Sequence, residues 1–130
     1  MKIMIGYDGT NAAKDALNLA VTYAIAFKAE VHVVTSLETG TEQQQDDIEK
    51  ARESLHWAEQ LFKSKNIPCE THLLIRGLSP GEDLVQFAEE KGIDQVIVGV
   101  KRRSRVEKIL MGSTAQFVII KAPCPVVAVK

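Results

Sequence analysis

Five short apolar runs, separated by four segments whose apolar residues recur at helical spacing, constrain this chain more than any other feature. The runs are KIMIGYD, VHVVTSL, IPCETHLLIRG, IDQVIVGV and PVVAVK. Between them lie DGTNAAKDALNLAVTYAIAFKAE, residues 41–65, SPGEDLVQFAEEKG and GSTAQFVIIKA. Strands that alternate with helical segments imply a parallel sheet joined by right-handed crossovers. The runs are apolar at successive positions rather than alternating, as expected where helices cover both faces of the sheet.

The local chemistry agrees with this order. Leu17, Ala20, Val21, Ala24 and Phe27 form one apolar stripe, and Ile48, Ala51, Leu55, Ala58 and Phe62 form another. Asp8, Gly9 and Thr10 make a strand-to-helix turn, in which Asp and Thr accept free N–H groups at a helix start. Ser79 is placed to cap the third helix, and Gly92 lies past its end. A chain of 130 residues suits one domain, here residues 1–130, and Ser36 to Asp47 is the only polar loop of any length.

Composition removes several function classes. The net charge is −1, so the whole chain has no field that would gather nucleic acid or acidic membranes. No apolar run approaches the roughly 18 residues that a bilayer span requires, and Met1-Lys2 leads straight into a strand-like run. A cytoplasmic protein is expected. Cys69 and Cys124 then read as small buried hydrophobes rather than a disulfide. His32, His56 and His72 show no metal-ligand spacing, and no catalytic elbow, Walker loop or Cys-x-x-Cys pair is present. No metal site and no catalytic residue are expected.

In an open parallel sheet a ligand lies beyond the carboxyl ends of the strands, where strand order reverses. The tips there are Asp8 with Gly9, Thr35 with Ser36, Arg76 with Gly77, and Gly99 with Val100. A flavodoxin-like reversal at the first strand is common for five strands, although the residues alone leave other orders open. Gly112, Ser113 and Thr114 open the last helix and supply free N–H groups and two hydroxyls, an anion site in miniature. Between Gly99 and Gly112 the chain carries Lys101, Arg102, Arg103, Arg105 and Lys108, with only Glu107 of opposite charge.

The chain resembles the universal stress protein family from end to end. Its opening, IMIGYDGTNAAKDAL, is similar to the family's first strand, Asp-Gly-Ser/Thr turn and helix, and KAPCPVVAVK is similar to its last strand. ATP-binding members carry a glycine, two residues, a glycine, nine residues and then Gly-Ser or Gly-Thr. Gly99, Gly112 and Ser113 match that pattern with its spacing intact, but Arg102 stands at the second glycine. The resemblance implies a flavodoxin-like, adenine nucleotide alpha-hydrolase-like three-layer sandwich with strand order 3-2-1-4-5. It also implies a role in the stress response through binding and regulation, with slow ATP hydrolysis as the upper limit of turnover. Asp8 and Ser36 would lie beside the adenine, Gly99 near the ribose, and Gly112, Ser113 and Thr114 around the phosphates of ATP, with magnesium.

Arg102 leaves two arrangements open. A positive φ or close phosphate approach at this position would make arginine strained and bulky, and its side chain would then fill the pocket. Alternatively, Arg102, Arg103 and their cationic neighbours replace backbone contacts with forked bonds to a phosphate or another anion. The competing function is a universal stress protein that binds no nucleotide and whose basic segment 101–108 meets an acidic protein or RNA. Nucleic acid is disfavoured by the absence of interleaved aromatics. The family resemblance further implies a homodimer through the last strand, with Val127 and Val129 in the contact.

Overall fold

A computed structural model describes the backbone of residues 1–38, 44–103, 108–110 and 112–130, and the side chains of these except residues 44, 101–103 and 108–110. The elements are β1 (Lys2–Gly6), α1 (Asn11–Phe27), β2 (Glu30–Ser36), α2 (Gln44–Ser64), β3 (Cys69–Leu74), α3 (Pro80–Lys91), β4 (Gln95–Gly99), β5 (Lys101–Arg103), β6 (Lys108–Leu110), α4 (Ser113–Lys121) and β7 (Val126–Val129). The main sheet runs β3-β2-β1-β4-β7, parallel at every pairing. Since β7 is its fifth strand, the expected order 3-2-1-4-5 holds, with helices on both faces.

Strand alternation divides the core into two layers. Ile3, Ile5, Val31, Val33 and Ile97 pack with α1 and α2, through Ala16, Leu17, Ala20, Leu55, Ala58 and Phe62. Met4, Val34, Val96 and Val98 point the other way, against Leu84, Phe87 and Ala88 of α3 and Val118 of α4. The small side chains of α1 bring that helix close to the sheet. Reversal of strand order at β1 then leaves a gap above β1 and β4 at their carboxyl ends, since successive helices depart to opposite faces there.

Two expectations change. Phe27 is not part of the buried stripe: it is 54% exposed, with its ring edge-on to Tyr23 at 5.9 Å. It occupies the last residue of α1, where Lys28 turns left-handed (φ 53) and the chain drops to buried Ala29. The segment after Gly99, read as a loop, instead contains an antiparallel hairpin in which Lys101 pairs with Leu110, Arg102 with Ile109 and Arg103 with Lys108. Local pairing satisfies backbone groups that have left the main sheet. Arg105 and Glu107, and the loop residues 39–43, lie outside the described residues. Among the described residues no helix is long and apolar enough to cross a membrane.

Candidate functional site

A cavity of about 500 Å³ opens at the carboxyl ends of β1, β2 and β4, a size suited to a small organic ligand. Its lining includes Asp8, Ser36, Gly99, Gly112, Ser113 and Thr114, so six of the sequence-derived positions meet around one space. Asp47, Lys50 and Ser54 of α2 and Pro80 at the start of α3 complete its rim. Arg102 and Arg103 lie in the hairpin strand β5, and their side chains are outside the described residues. At Arg102 the backbone is an extended ladder position, which L-residues adopt without strain.

Each polar group at the rim has a local cause for its position. The N–H and hydroxyl of Thr10 donate to Asp8 Oδ1 at 3.0 and 2.6 Å, and Thr10 Oγ1 accepts from Ala13 N at 3.2 Å. Thr10 is therefore the cap of α1, and Asp8 orients that cap rather than capping the helix itself. Gly9 between them has φ +79, a conformation that favours glycine. On the opposite wall, Gly112 is the N-cap residue of α4 and makes no side-chain cap bond. The first bond of that helix runs from Gln116 N to Gly112 O at 3.1 Å, leaving the N–H groups of Ser113, Thr114 and Ala115 without intrahelical acceptors.

Gly99 has a structural requirement of its own. A Cβ at this position would fall 2.3 Å from the backbone oxygen of Ala12 and 2.4 Å from its carbonyl carbon. The missing side chain lets β4 end directly beneath the first turn of α1, which forms the cavity floor.

Ser36 is held from below. Its hydroxyl donates to Asp83 Oδ2 at 2.7 Å, while Asp83 Oδ1 accepts from Arg76 Nε at 2.6 Å. Arg76 also donates to Asp83 O at 3.2 Å and to both carboxylate oxygens of Glu90 at 3.2 and 3.0 Å. Glu90 is held below its ordinary range by hydrogen bonds from Gln86 and Arg76. Because the Ser36 proton is committed to Asp83, its oxygen can meet a ligand only as an acceptor. Sequence reading placed Arg76 at a strand tip but missed Asp83, whose place in the acidic first turn of α3 reads as a helix-dipole residue.

The thiols of Cys69 and Cys124 are free. Burial, with Glu59 and Glu70 nearby, pushes Cys69 up to about 12, and burial with Asp94 raises Cys124, so both are poor nucleophiles. Two of the histidines are not the unrelated residues expected. His32 Nδ1 and His72 Nε2 lie 3.1 Å apart, beside Glu70. The signal was present as two copies of Glu-x-His, Glu30-Val31-His32 and Glu70-Thr71-His72, whose period of two puts all four side chains on one face of neighbouring strands.

Comparison with known proteins accords with this architecture. The sequence profile of the Universal stress protein family matches residues 1–130. The chain belongs to the universal stress protein family. A universal stress protein of Thermus aquaticus is 30% identical to it over 98% of this chain and 97% of the relative. The structure of a universal stress protein from Archaeoglobus fulgidus superposes with a TM-score of 0.88 at 34% identity, covering 100% of this chain and 93% of that one. Another, from the same organism in complex with dAMP, gives 0.81 at 32% identity, covering 99% and 96%. The two Archaeoglobus fulgidus structures have the same parallel α/β sandwich, and one of those proteins binds dAMP.

Proposed function

We propose that this protein binds an adenine nucleotide in the cavity above β1 and β4 and acts through binding rather than turnover. The observation that carries the reading is the convergence of Asp8, Ser36, Gly99, Gly112, Ser113 and Thr114 on one space of about 500 Å³. Phosphate sits at the start of α4, where the free N–H groups and the hydroxyls of Ser113 and Thr114 donate and the helix dipole favours negative charge. The base lies toward Asp8 and Ser36. Asp8 Oδ1 is taken by Thr10, so Oδ2 and the Ser36 oxygen are the acceptors offered, a pair matched to the exocyclic amine of adenine. The dAMP complex of the 32% identical relative supports the ligand class.

Arg102 belongs to this reading as a phosphate partner. In the hairpin an arginine costs no backbone strain, and Arg103 follows in the same strand. ATP with magnesium and the monophosphate are the ligands to compare. The protein works as one domain over residues 1–130, as a homodimer through the free edge of β7. Ile120 supports that edge as a contact: it is 74% exposed on the helix leading into β7.

Calorimetric titration of nucleotide-stripped protein with ATP and magnesium, and with AMP, tests the proposal. Saturable binding weakened by Arg102→Gly means that side chains hold the phosphate. Silence in wild type with binding by Arg102→Gly means that Arg102 blocks the site. Silence in both sinks the nucleotide reading, and the basic segment 101–108 should then be titrated with acidic protein and RNA.

A further inference from the structure

The outer half of the sheet carries a second cluster, four residues before Ser36 on β2 and on the neighbouring β3. Glu30 and His32 of β2 and Glu70 and His72 of β3 share one face, with His32 directly opposite Glu70 and Val34 opposite His72. His32 Nδ1, His72 Nε2 and Glu70 Oε2 form a triangle with edges of 3.1, 3.4 and 3.6 Å. Zinc bonds of about 2.0–2.1 Å at tetrahedral angles require ligand separations of about 3.3–3.4 Å, whereas right-angled octahedral ligands at the same bond length would stand about 2.9 Å apart. The observed edges average close to the tetrahedral value.

We propose that His32, His72 and Glu70 bind a divalent transition metal of the zinc class, with the fourth position open to solvent. Two imidazoles and a carboxylate form one of the donor sets found in zinc sites with an open coordination position. The surroundings are those of a ligand site. His32 Nε2 lies 3.1 Å from Glu30 Oε1, so this carboxylate accepts the ring's other N–H and leaves Nδ1 unprotonated toward the metal. The two rings stack with an interplanar angle of 19°, and Phe87 packs against His72 with centroids 4.7 Å apart, which fixes both ring planes.

Access differs between the ligands in a useful way. The His32 side chain is only 6% exposed, His72 is 22% exposed and Glu70 is 69% exposed. An ion therefore enters from the Glu70 side without unfolding the sheet. Hard cations such as Mg²⁺ prefer all-oxygen sites and do not fit this set.

The test uses the full chain, free of any histidine tag and stripped with chelator, titrated with Zn²⁺ and separately with Co²⁺. One ion per chain is expected, together with the ligand-field absorption of tetrahedral Co²⁺. His72→Gln removes a partly buried ligand on an edge strand and should abolish the Co²⁺ spectrum and weaken Zn²⁺ at least about tenfold. Glu30→Ala removes only the supporting carboxylate and should weaken Zn²⁺ by roughly 10- to 100-fold. His56→Gln, which alters an exposed histidine on α2, should leave binding unchanged. Circular dichroism of each variant checks that the fold is intact. Absence of stoichiometric Zn²⁺ binding in wild type, or binding that survives His72→Gln but not His56→Gln, overturns the site.

Discussion

Removing Arg76 should harm this protein more than neutralising Asp83, although the two residues share one ion pair. The asymmetry follows from what each leaves behind. The Asp83 side chain is 0% exposed and has two side-chain partners, Arg76 Nε and the Ser36 hydroxyl. In Arg76→Met the carboxylate keeps only the hydroxyl, and stranding a buried charge in this way costs about 3–5 kcal/mol. In Asp83→Asn the charge is gone, while the guanidinium, 30% exposed, retains Glu90 and water. That loss resembles one charged hydrogen bond in a site that keeps its shape, about 1.5–3 kcal/mol. Adding Asp83→Asn to Arg76→Met should therefore restore stability relative to Arg76→Met alone, since no buried charge remains. Urea unfolding followed by circular dichroism, at constant m, gives all four corners of the cycle. If Asp83→Asn costs more than Arg76→Met, or if the two effects simply add, the network does not work as described. The same variants bear on the cavity. Asp83→Asn frees the Ser36 hydroxyl to rotate, so nucleotide affinity should fall more than the stability loss alone would produce.

Three further outcomes follow from the geometry. Gly99→Ala drives a Cβ into the Ala12 carbonyl and should destabilise by at least about 1–3 kcal/mol while weakening nucleotide binding, since α1 must lift off the cavity floor; an unchanged thermal midpoint would contradict the close approach. In the presence of chelator, stability should decline as pH falls from the ordinary 6.5 of histidine through the lower folded value of His72. The native state there binds fewer protons than the unfolded chain, so stability rises with pH across this window, and His72→Gln should flatten the slope. Glu30, lowered by its bond to His32, adds a second decline only below about 4.5. Ala128→Pro tests the dimer. Val96 N donates to Pro125 O and Val100 N to Val129 O, so by parallel alternation the Ala128 N–H faces the free edge. Proline there spares the β4 pairing and should yield a monomer by light scattering; a persistent dimer places the interface elsewhere. Val127→Lys is a poorer probe, because Val127 and Val129 pack partly against the α1–α2 core.

The sequence was most informative where a residue's neighbours in space are also its neighbours in chain. Thr10 capping α1 and Gly92 ending α3 in a left-handed turn depend on contacts within a few residues, while Ser79 takes the N-cap place of α3 but turns its hydroxyl to Glu82 rather than to a backbone N–H. The cavity positions were legible for a related reason: strand tips and helix starts are local features, and topology brings them to one edge of a parallel sheet. Phe27 shows the limit, because helical periodicity does not say where the helix outruns the sheet beneath it. The hairpin of β5 and β6 was hidden for a different reason. Charged residues at Lys101, Arg102 and Arg103 have no strand pattern, and their pairing with Lys108, Ile109 and Leu110 is a backbone ladder that side-chain periodicity does not announce.

By itself, then, the order of apolar runs and helical segments determined the parallel sandwich, while the residues of its two ends and of Gly99, Gly112 and Ser113 carried the resemblance to the family. Tertiary structure alone decided which side chains share a hydrogen bond across long gaps in sequence. Asp83 meets Ser36 across 47 positions and His32 meets His72 across 40. Periodicity assigns a residue to a face, but only the register between strands and the seating of a helix on the sheet fix which polar atoms come within hydrogen-bond distance of one another, and both are set by the packing of the whole core.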